Sequence, residues 1–496
     1  MAAMAWLGDV AGTWWRWFDL ATTVLALLTV PSVLVQRLGR PMAAISWILC
    51  LVTLPPLGLV LWWVLGRRHL ERRRRRKLTA RAAMAPKLSS LRERLDPPPS
   101  AAPVLLPLHR LPDELSHSVP RPTRGNAVRL LTSKEAFAVM EHDIEAAEHH
   151  VHALFYIWKN DTTGRRFRDL LIRKARQGLE VRVLCDAVGS PVMGSSFSRP
   201  LRRAGAKVAR FLPPQLFSLP RINFRNHRKI LVVDGAAGTI GGFNIADEYR
   251  KRWRDAGARL SGPAVDQLQE IFADDWFYAT GEDLADPTYF GRWRGASRSE
   301  RDAGAGDSAL SADDDASCAI IASGPDTVYS PMHDALFVAI TETRERLFIT
   351  TPYFVPSYAI LVALRAAVFR GVDVRIMVPA RVDVPFVHAA ARSYYPELLG
   401  AGVRIFEYRP TMLHAKTMVF DRALTMIGSA NLDSRSFRLN FEASCFIASE
   451  RLNGELCARF ESDQEQCGEV SADALSRRPW GAKLFDATAH LLSPLL

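Results

Sequence analysis

The pattern of apolar and polar positions divides the chain into regions of different periodicity. Residues 42–65 (MAAISWILCLVTLPPLGLVLWWVL) form 24 uncharged, mostly apolar positions, and a shorter run, 20–35 (LATTVLALLTVPSVLV), precedes them. Both approach the length that lets a helix cross about 30 Å of hydrocarbon, so the pattern predicts an N-terminal transmembrane helical hairpin over 1–66. A signal peptide does not explain the first run, since no Lys or Arg precedes Arg16. A basic juxtamembrane segment and Pro-rich linker (67–125) and a small, charged linker (292–317) bracket two blocks, 126–291 and 318–496. Each block holds an apolar strand, an amphipathic helix ending in Gly, a second strand and a later strand. HVHALFYIW, IRKARQG and LEVRVLCDA in the first correspond to RLFITTPYFV, ALRAAVFRG and VDVRIMVPA in the second. Strands alternating with helices of this length predict two α/β lobes, and internal duplication is the economical reading.

Charge sharpens the membrane reading. The formal net charge is +12, but residues 1–91 carry 13 Lys and Arg against 3 Asp and Glu, which leaves about +2 for the blocks. Eight of those basic residues lie between Arg67 and Lys77. Basic flanks are retained in the cytoplasm, so the hairpin is expected to be multi-pass in the cell inner membrane, with both termini and the catalytic region on the cytoplasmic side. Trp14, Trp15, Trp17, Trp62 and Trp63 suit the two interfaces. The six Cys show no zinc-type spacing and read as reduced thiols. A nucleic-acid enzyme would spread its basic charge over the blocks, which argues against that class.

The chemistry lies in a second, finer repetition. NHRKILVVDGAAGTIGGFNIADEYRKRWRD and LHAKTMVFDRALTMIGSANLDSRSFRLNFE align position by position. The shared positions are His227, Lys229, Asp234, Gly241, Asn244 and Asp255 in one, and His414, Lys416, Asp421, Gly428, Asn431 and Glu442 in the other. A single HxK is weak evidence; six polar or glycine positions in register twice are not a chance event. His and Lys two residues apart on a strand share a face. The following GGFN and GSAN, with Gly242 and Ser429, put small residues and an amide where a backbone can approach a ligand. Two such sets facing one another would cradle the oxygens of a phosphate. Asp234 and Asp421, five residues past each Lys, point to the opposite face or begin a turn, so a structural role stays open beside a catalytic one.

This doubled HxKxxxxD pattern resembles the phospholipase D superfamily, and the chain is similar to bacterial cardiolipin synthases in RNHRKILVVDG, IGGFNIADEY, ITTPYFVP, ARSYY, LHAKTMVFD, GSANLDSRSFRLNFE and the terminal LLSPLL. The resemblance implies two phospholipase D-like repeats packed as a pseudo-dimer around one active site, with no metal and no other cofactor. It implies a catalytic set of His227, Lys229, Asp234, His414, Lys416 and Asp421. The phosphate would be bound by Asn244, Asn431, Gly241, Gly242, Gly428 and Ser429, and Asp255 and Glu442 would orient the imidazoles. Where that family commonly has Thr-His this chain has Ala256 and Gly257, and where Asp is common it has Ser357.

The reaction so implied joins two phosphatidylglycerol molecules into cardiolipin and glycerol. One histidine attacks phosphorus and the other carries protons; His227 is expected as the nucleophile, since superfamily members supply it from the first repeat. Exchange of one phosphodiester for another needs no nucleotide, in keeping with the lack of a Walker sequence. Other headgroup exchange and hydrolysis are the alternatives within lipid chemistry. The expected partners are the phospholipid substrate and the bilayer, not nucleic acid.

Overall fold

The computed structural model describes residues 2–37, 41–66, 86–88, 105, 121–213, 224–292, 315–326 and 329–491. The basic run 67–77, nearly all of the two linkers and residues 492–496 of the terminal LLSPLL lie outside the described residues. The chain divides into two compact units, the N-terminal helices and the α/β body.

In the first unit a helix runs from Ala2 to Gln36, and its stretch Trp14–Gln36 is long and apolar enough to cross a membrane. The second apolar run is not the continuous helix its length predicts. It forms Pro41–Thr53, breaks at Leu54 (φ −135°, ψ 65°), resumes as Pro55–Leu61 and ends in a π-turn, Trp62–Gly66. Pro55 and Pro56 lack the N–H that would continue the ladder, and a residue before proline is pushed out of the α region. Gly58 lets the second piece fold back on the first: a Cβ there would stand 2.8 Å from Leu51 Cα. Ala26, Val33, Ala44, Leu51, Leu59 and Trp62 bury this contact, and Arg37 Nη2 donates to Gly66 O at 2.7 Å. Leu28, Val35, Met42, Ile45, Leu49 and Val60 face outward, as lipid-facing positions would.

In the second unit the strands are β1 (Thr123–Thr132), β2 (His150–Phe155), β3 (Glu180–Asp186), β4 (Lys207–Phe211), β5 (Arg225–Asn226), β6 (Ile230–Val233), β7 (Ala237–Gly241) and β8 (Ala256–Ser261), then β9 (Ala316–Ser323), β10 (Arg346–Thr350), β11 (Phe354–Val355), β12 (Asp373–Pro379), β13 (Arg404–Tyr408), β14 (Thr417–Phe420), β15 (Leu424–Gly428), β16 (Leu432–Asp433), β17 (Asn440–Ala448) and β18 (Cys467–Glu469). One sheet runs β4-β3-β2-β6-β7-β8-β1 and continues β9-β17-β15-β14-β10-β12-β13-β18. The second half repeats the order of the first in reverse, so the antiparallel β1–β9 pair is the seam of a pseudo-twofold. The helices Thr162–Arg176 and Tyr358–Phe369 give way to Gly178 and Gly371, both at positive φ, as the Gly-terminated patterns predict.

Each repeat has its own core. Phe137, Ile144, Val151, Leu171 and Val183 are buried in the first, and Leu336, Ile349, Leu364, Ile376 and Ile405 in the second. Each such side chain stabilises the fold by about 1.5–3 kcal/mol. These cores hold β6 and β14, the strands that follow the two HxK motifs, fully buried.

Candidate active site

The backbone crosses the seam at each histidine. The two-residue strand β5 pairs in parallel with β17 of the other repeat, and His227 N–H donates to Phe441 O at 2.9 Å. Symmetrically, Arg254 bridges Leu413, and His414 N–H donates to Arg254 O at 2.8 Å. Each histidine is therefore seated on the stretch that carries the other repeat's carboxylate, Glu442 within β17 and Asp255 just before β8. His227 Nδ1 lies 3.0 and 3.1 Å from the Glu442 oxygens, and His414 Nδ1 lies 2.7 Å from Asp255 Oδ2. A carboxylate only accepts, so each Nδ1 carries the proton and each Nε2 is left with its lone pair. The orienting pairs within the imidazole–carboxylate set are thus crossed between repeats.

Arg228, between His227 and Lys229 in the connection from β5 to β6, locks this crossing. Its guanidinium donates to Glu442 O (3.1 Å), Ser323 O (3.2 Å) and the Asp275 carboxylate (2.6 Å), tying the first repeat to the backbone of the second. Glu442, fully buried, also accepts from Ser429 Oγ (2.5 Å) and Asn440 Nδ2 (3.1 Å). Asp255 Oδ1 accepts from Ala256 N–H at 2.8 Å. The glycines make room for these groups: a Cβ on Gly242 would fall 2.1 Å from Asp255 Oδ1, and one on Gly428 would fall 2.4 Å from Ser444 Cα. Gly241 meets Gly257 Cα in the same way, at 2.6 Å from its would-be Cβ.

The lysines lie beside their own histidines. Lys229 Nζ donates to His227 O (2.5 Å), and Lys416 Nζ donates to His414 O (2.6 Å) and stands 2.9 and 3.0 Å from the two His414 ring nitrogens. Both lysines depress the proton affinity of both histidines, and both carboxylates act on both lysines, so the two sets form one electrostatic cluster. Burial is the largest cause throughout. It lowers His227 and His414 to about 4 against an ordinary 6.5, and Lys416 to about 8; Lys229 is lowered as well. Both imidazoles are neutral at pH 7 in the free enzyme, as a nitrogen nucleophile requires.

Asn244 Oδ1 accepts from Ile157 N–H at 2.9 Å, and Asn431 N–H donates to Ser436 Oγ at 3.1 Å. Asn244 Nδ2 and Asn431 Oδ1 are buried without a well-formed hydrogen bond. The Asn244 amide faces the Tyr249 phenol, and a bound phosphate would offer it a better acceptor.

Asp234 and Asp421 are not brought to this cluster. Each closes the turn at the far end of its buried strand, on the order of 15 Å along the chain from its lysine. Asp234 accepts the N–H groups of Glu148, His149 and His150 at 2.7–2.8 Å, and Asp421 accepts those of Arg344, Glu345 and Arg346. Both adopt positive φ, 55° and 48°. Their expected catalytic part is replaced by a structural one: they tie the start of β2 and of β10 to the turn.

Aromatic side chains outside the positions shared by the two repeats line the site. Tyr156 meets His227 edge-on with centroids 4.8 Å apart, and Tyr249 and Trp253 enclose His414 at 5.2 and 5.1 Å. Tyr156 belongs to an apolar run that marks it as core, whereas Tyr249 and Trp253 fall in the charged stretch ADEYRKRWRD, and only the folded chain turns all three to the imidazoles. Arg225, two residues before His227, is buried with neither terminal nitrogen in a hydrogen bond, and Nη1 makes a long ion pair with Asp186 Oδ1 at 3.9 Å. Ser357 caps the helix Tyr358–Phe369 and contacts His333 Nε2 at 2.8 Å, so this departure is absorbed locally.

Residues 140–276 and 336–464 match the family described as cardiolipin synthase, PLD-like domain. The chain is 35% identical over 469 residues to a cardiolipin synthase of Geobacillus thermodenitrificans, covering 92% of this chain and 89% of that one. It is 34% identical to a cardiolipin synthase of Halalkalibacterium halodurans, covering 97% and 95%. The fold resembles the crystal structure of phosphatidylserine synthase from Haemophilus influenzae with a TM-score of 0.55, at 16% identity over 75% of this chain and 95% of that one.

Proposed function

Because the chain belongs to the cardiolipin synthase family of phospholipase D-like proteins, we propose that it transfers a phosphatidyl group from one phosphatidylglycerol to the hydroxyl of another, giving cardiolipin and glycerol. The observation that carries this reading is the crossed pair of histidines, each held as its Nδ1–H tautomer by the other repeat's carboxylate within one cluster of two lysines. His227 Nε2 attacks phosphorus, the bond from phosphorus to the glycerol oxygen breaks, and His414 protonates the departing oxygen. Burial first, and the charge of the lysines second, hold His414 unprotonated in the free enzyme; the phosphodiester anion, entering between Lys229 and Lys416, favours uptake of a proton from water at His414 Nε2 and so lets it act as the acid. The hydroxyl of the second phosphatidylglycerol then gives its proton to His414 and attacks phosphorus. The His227–phosphorus bond breaks and the free imidazole returns. Lys229, Lys416 and the Asn244 amide supply donors where negative charge develops.

Glu442 stabilises the imidazolium that His227 becomes in the intermediate, and Asp255 does the same for His414. In this reading the apolar helices anchor a multi-pass protein, with the basic run 67–77 keeping the catalytic unit on the cytoplasmic side. Purified enzyme given phosphatidylglycerol alone tests the activity: cardiolipin and glycerol are expected in equal amounts, unchanged by a chelator. Phosphatidic acid as the sole product would replace transfer by hydrolysis. A reporter fused after Leu496 tests the orientation, and periplasmic activity would overturn it.

A further inference from the structure

The helix Trp480–Leu491 has two working faces. Its inner face is pinned to the body: Ala489 is buried against Val355, Ala389 and Ala390, His490 Nδ1 lies 2.9 Å from Ser393 Oγ, and Asp486 pairs with Arg478. On the opposite side, Trp480, Leu484, Ala487 and Leu491 recur at i, i+4, i+7 and i+11, one stripe of an α-helix. That stripe is bare: Trp480 and Leu491 are each 76% exposed and Leu484 is 49% exposed. Phe485, beside it, leans on Phe386 with centroids 6.0 Å apart and stays half exposed. A water-soluble surface helix puts charge on this side.

We propose that this helix lies in the interface of an anionic phospholipid bilayer as a second membrane contact, one that seats the mouth of the active site on the lipid surface. The proposal rests on the phospholipid-substrate reading above. Three features favour a bilayer. Trp480 stands at the helix start beside exposed Arg477 and Lys483, the aromatic and cationic pairing that suits headgroups. The stripe, four side chains on one 12-residue helix, falls well short of the roughly 800 Å² per partner that a stable dimer buries. It also adjoins the site. The helix Pro385–Arg392 beneath it starts at exposed Val384, next to Asp383, whose carboxylate accepts from the Tyr353 hydroxyl at 2.7 Å and whose charge reaches Lys416. Val355, against Ala489, lies on β11, which pairs with β16 directly after Asn431.

The test uses the full chain carrying Trp480→Glu, Leu484→Glu and Leu491→Glu together. Turnover is measured in proteoliposomes of long-chain phosphatidylglycerol and, in detergent, on a short-chain phosphatidylglycerol that does not form bilayers. The expected result is a fall of about tenfold or more in proteoliposomes with the short-chain rate within about twofold of wild type. Trp480→Phe should keep both rates. A spin label on Leu484→Cys should collide with a lipid-soluble relaxant more than with a water-soluble one. Unchanged bilayer turnover, or equal loss in both assays, would overturn the proposal, and a drop in oligomeric mass on substitution would assign the stripe to a second copy instead. Wild-type protein inactive in both assays would refute the phospholipid reading itself.

Discussion

The crossed carboxylates make Glu442→Gln the most informative substitution. Gln keeps the volume, its Oε1 can still accept from His227 Nδ1 and Asn440 Nδ2, and its NH2 can donate to the Ser429 hydroxyl, which keeps Ala443 O as an acceptor, so the main thing it removes is charge. His227 is neutral in the free enzyme but becomes an imidazolium once Nε2 binds phosphorus. With Nδ1 and Oε1 3.0 Å apart, the charge centres are about 4 Å apart, and the lost attraction is about 4 kcal/mol at an effective dielectric constant of about 20. That predicts roughly a 10³-fold slower attack on phosphorus. The assay is adduct formation in the His414→Ala background, where phosphatidyl transfer to His227 can be trapped by acid quench and read by mass spectrometry. Glu442→Gln in that background should slow labelling of His227 by the stated factor. Asp255→Asn, which serves the missing His414, should leave it within about threefold. Fast labelling in the Glu442→Gln double variant, or a larger effect from Asp255→Asn, would show that the carboxylates do not act across the repeats as the geometry requires.

Gly242→Ala should lower activity at least about 100-fold and lower the melting temperature as well, because its Cβ would displace the buried Asp255 carboxylate from His414; turnover per folded molecule beside thermal melting checks it. Asp234→Ala and Asp421→Ala should each cost about 2–4 kcal/mol of stability by stranding backbone N–H groups and straining a positive φ, while turnover per folded molecule stays near wild type. Denaturant unfolding of each variant measures this. The buried histidines also set an acid limit. Their folded values of about 4 lie below the ordinary 6.5, so the unfolded chain takes up protons first as pH falls. Stability should be full above pH 6.5 and decline by up to about 1.4 kcal/mol per pH unit per histidine down to about 4. His414→Asn should make that decline shallower in melts run from pH 7 to 4.5.

Much of this protein is legible along the chain, because strand and helix periods and the spacing of His, Lys and Asn are local properties. The glycines after two helices mark their ends, but His227, Lys229, His414 and Lys416, which the period-two spacing places on a strand, lie instead in the short connections just before β6 and β14. The break in the second apolar run was also written locally, in Leu54-Pro55-Pro56, where length alone suggested one straight helix. What spacing does not contain is the identity of a neighbour on another strand. Only the reversed strand order across the β1–β9 seam brings Glu442 to His227 and Asp255 to His414, and an equal spacing within each repeat would have allowed either pairing. Asp234 and Asp421 recur in register as faithfully as the histidines. Their separation from the site follows from strand length: a buried strand of four residues carries them to its far end, where the turn needs a carboxylate that can accept three N–H groups. Local pattern thus set which residue types recur beside each buried strand, and long-range pairing, paid for by burying two separate cores, decided which of them meet.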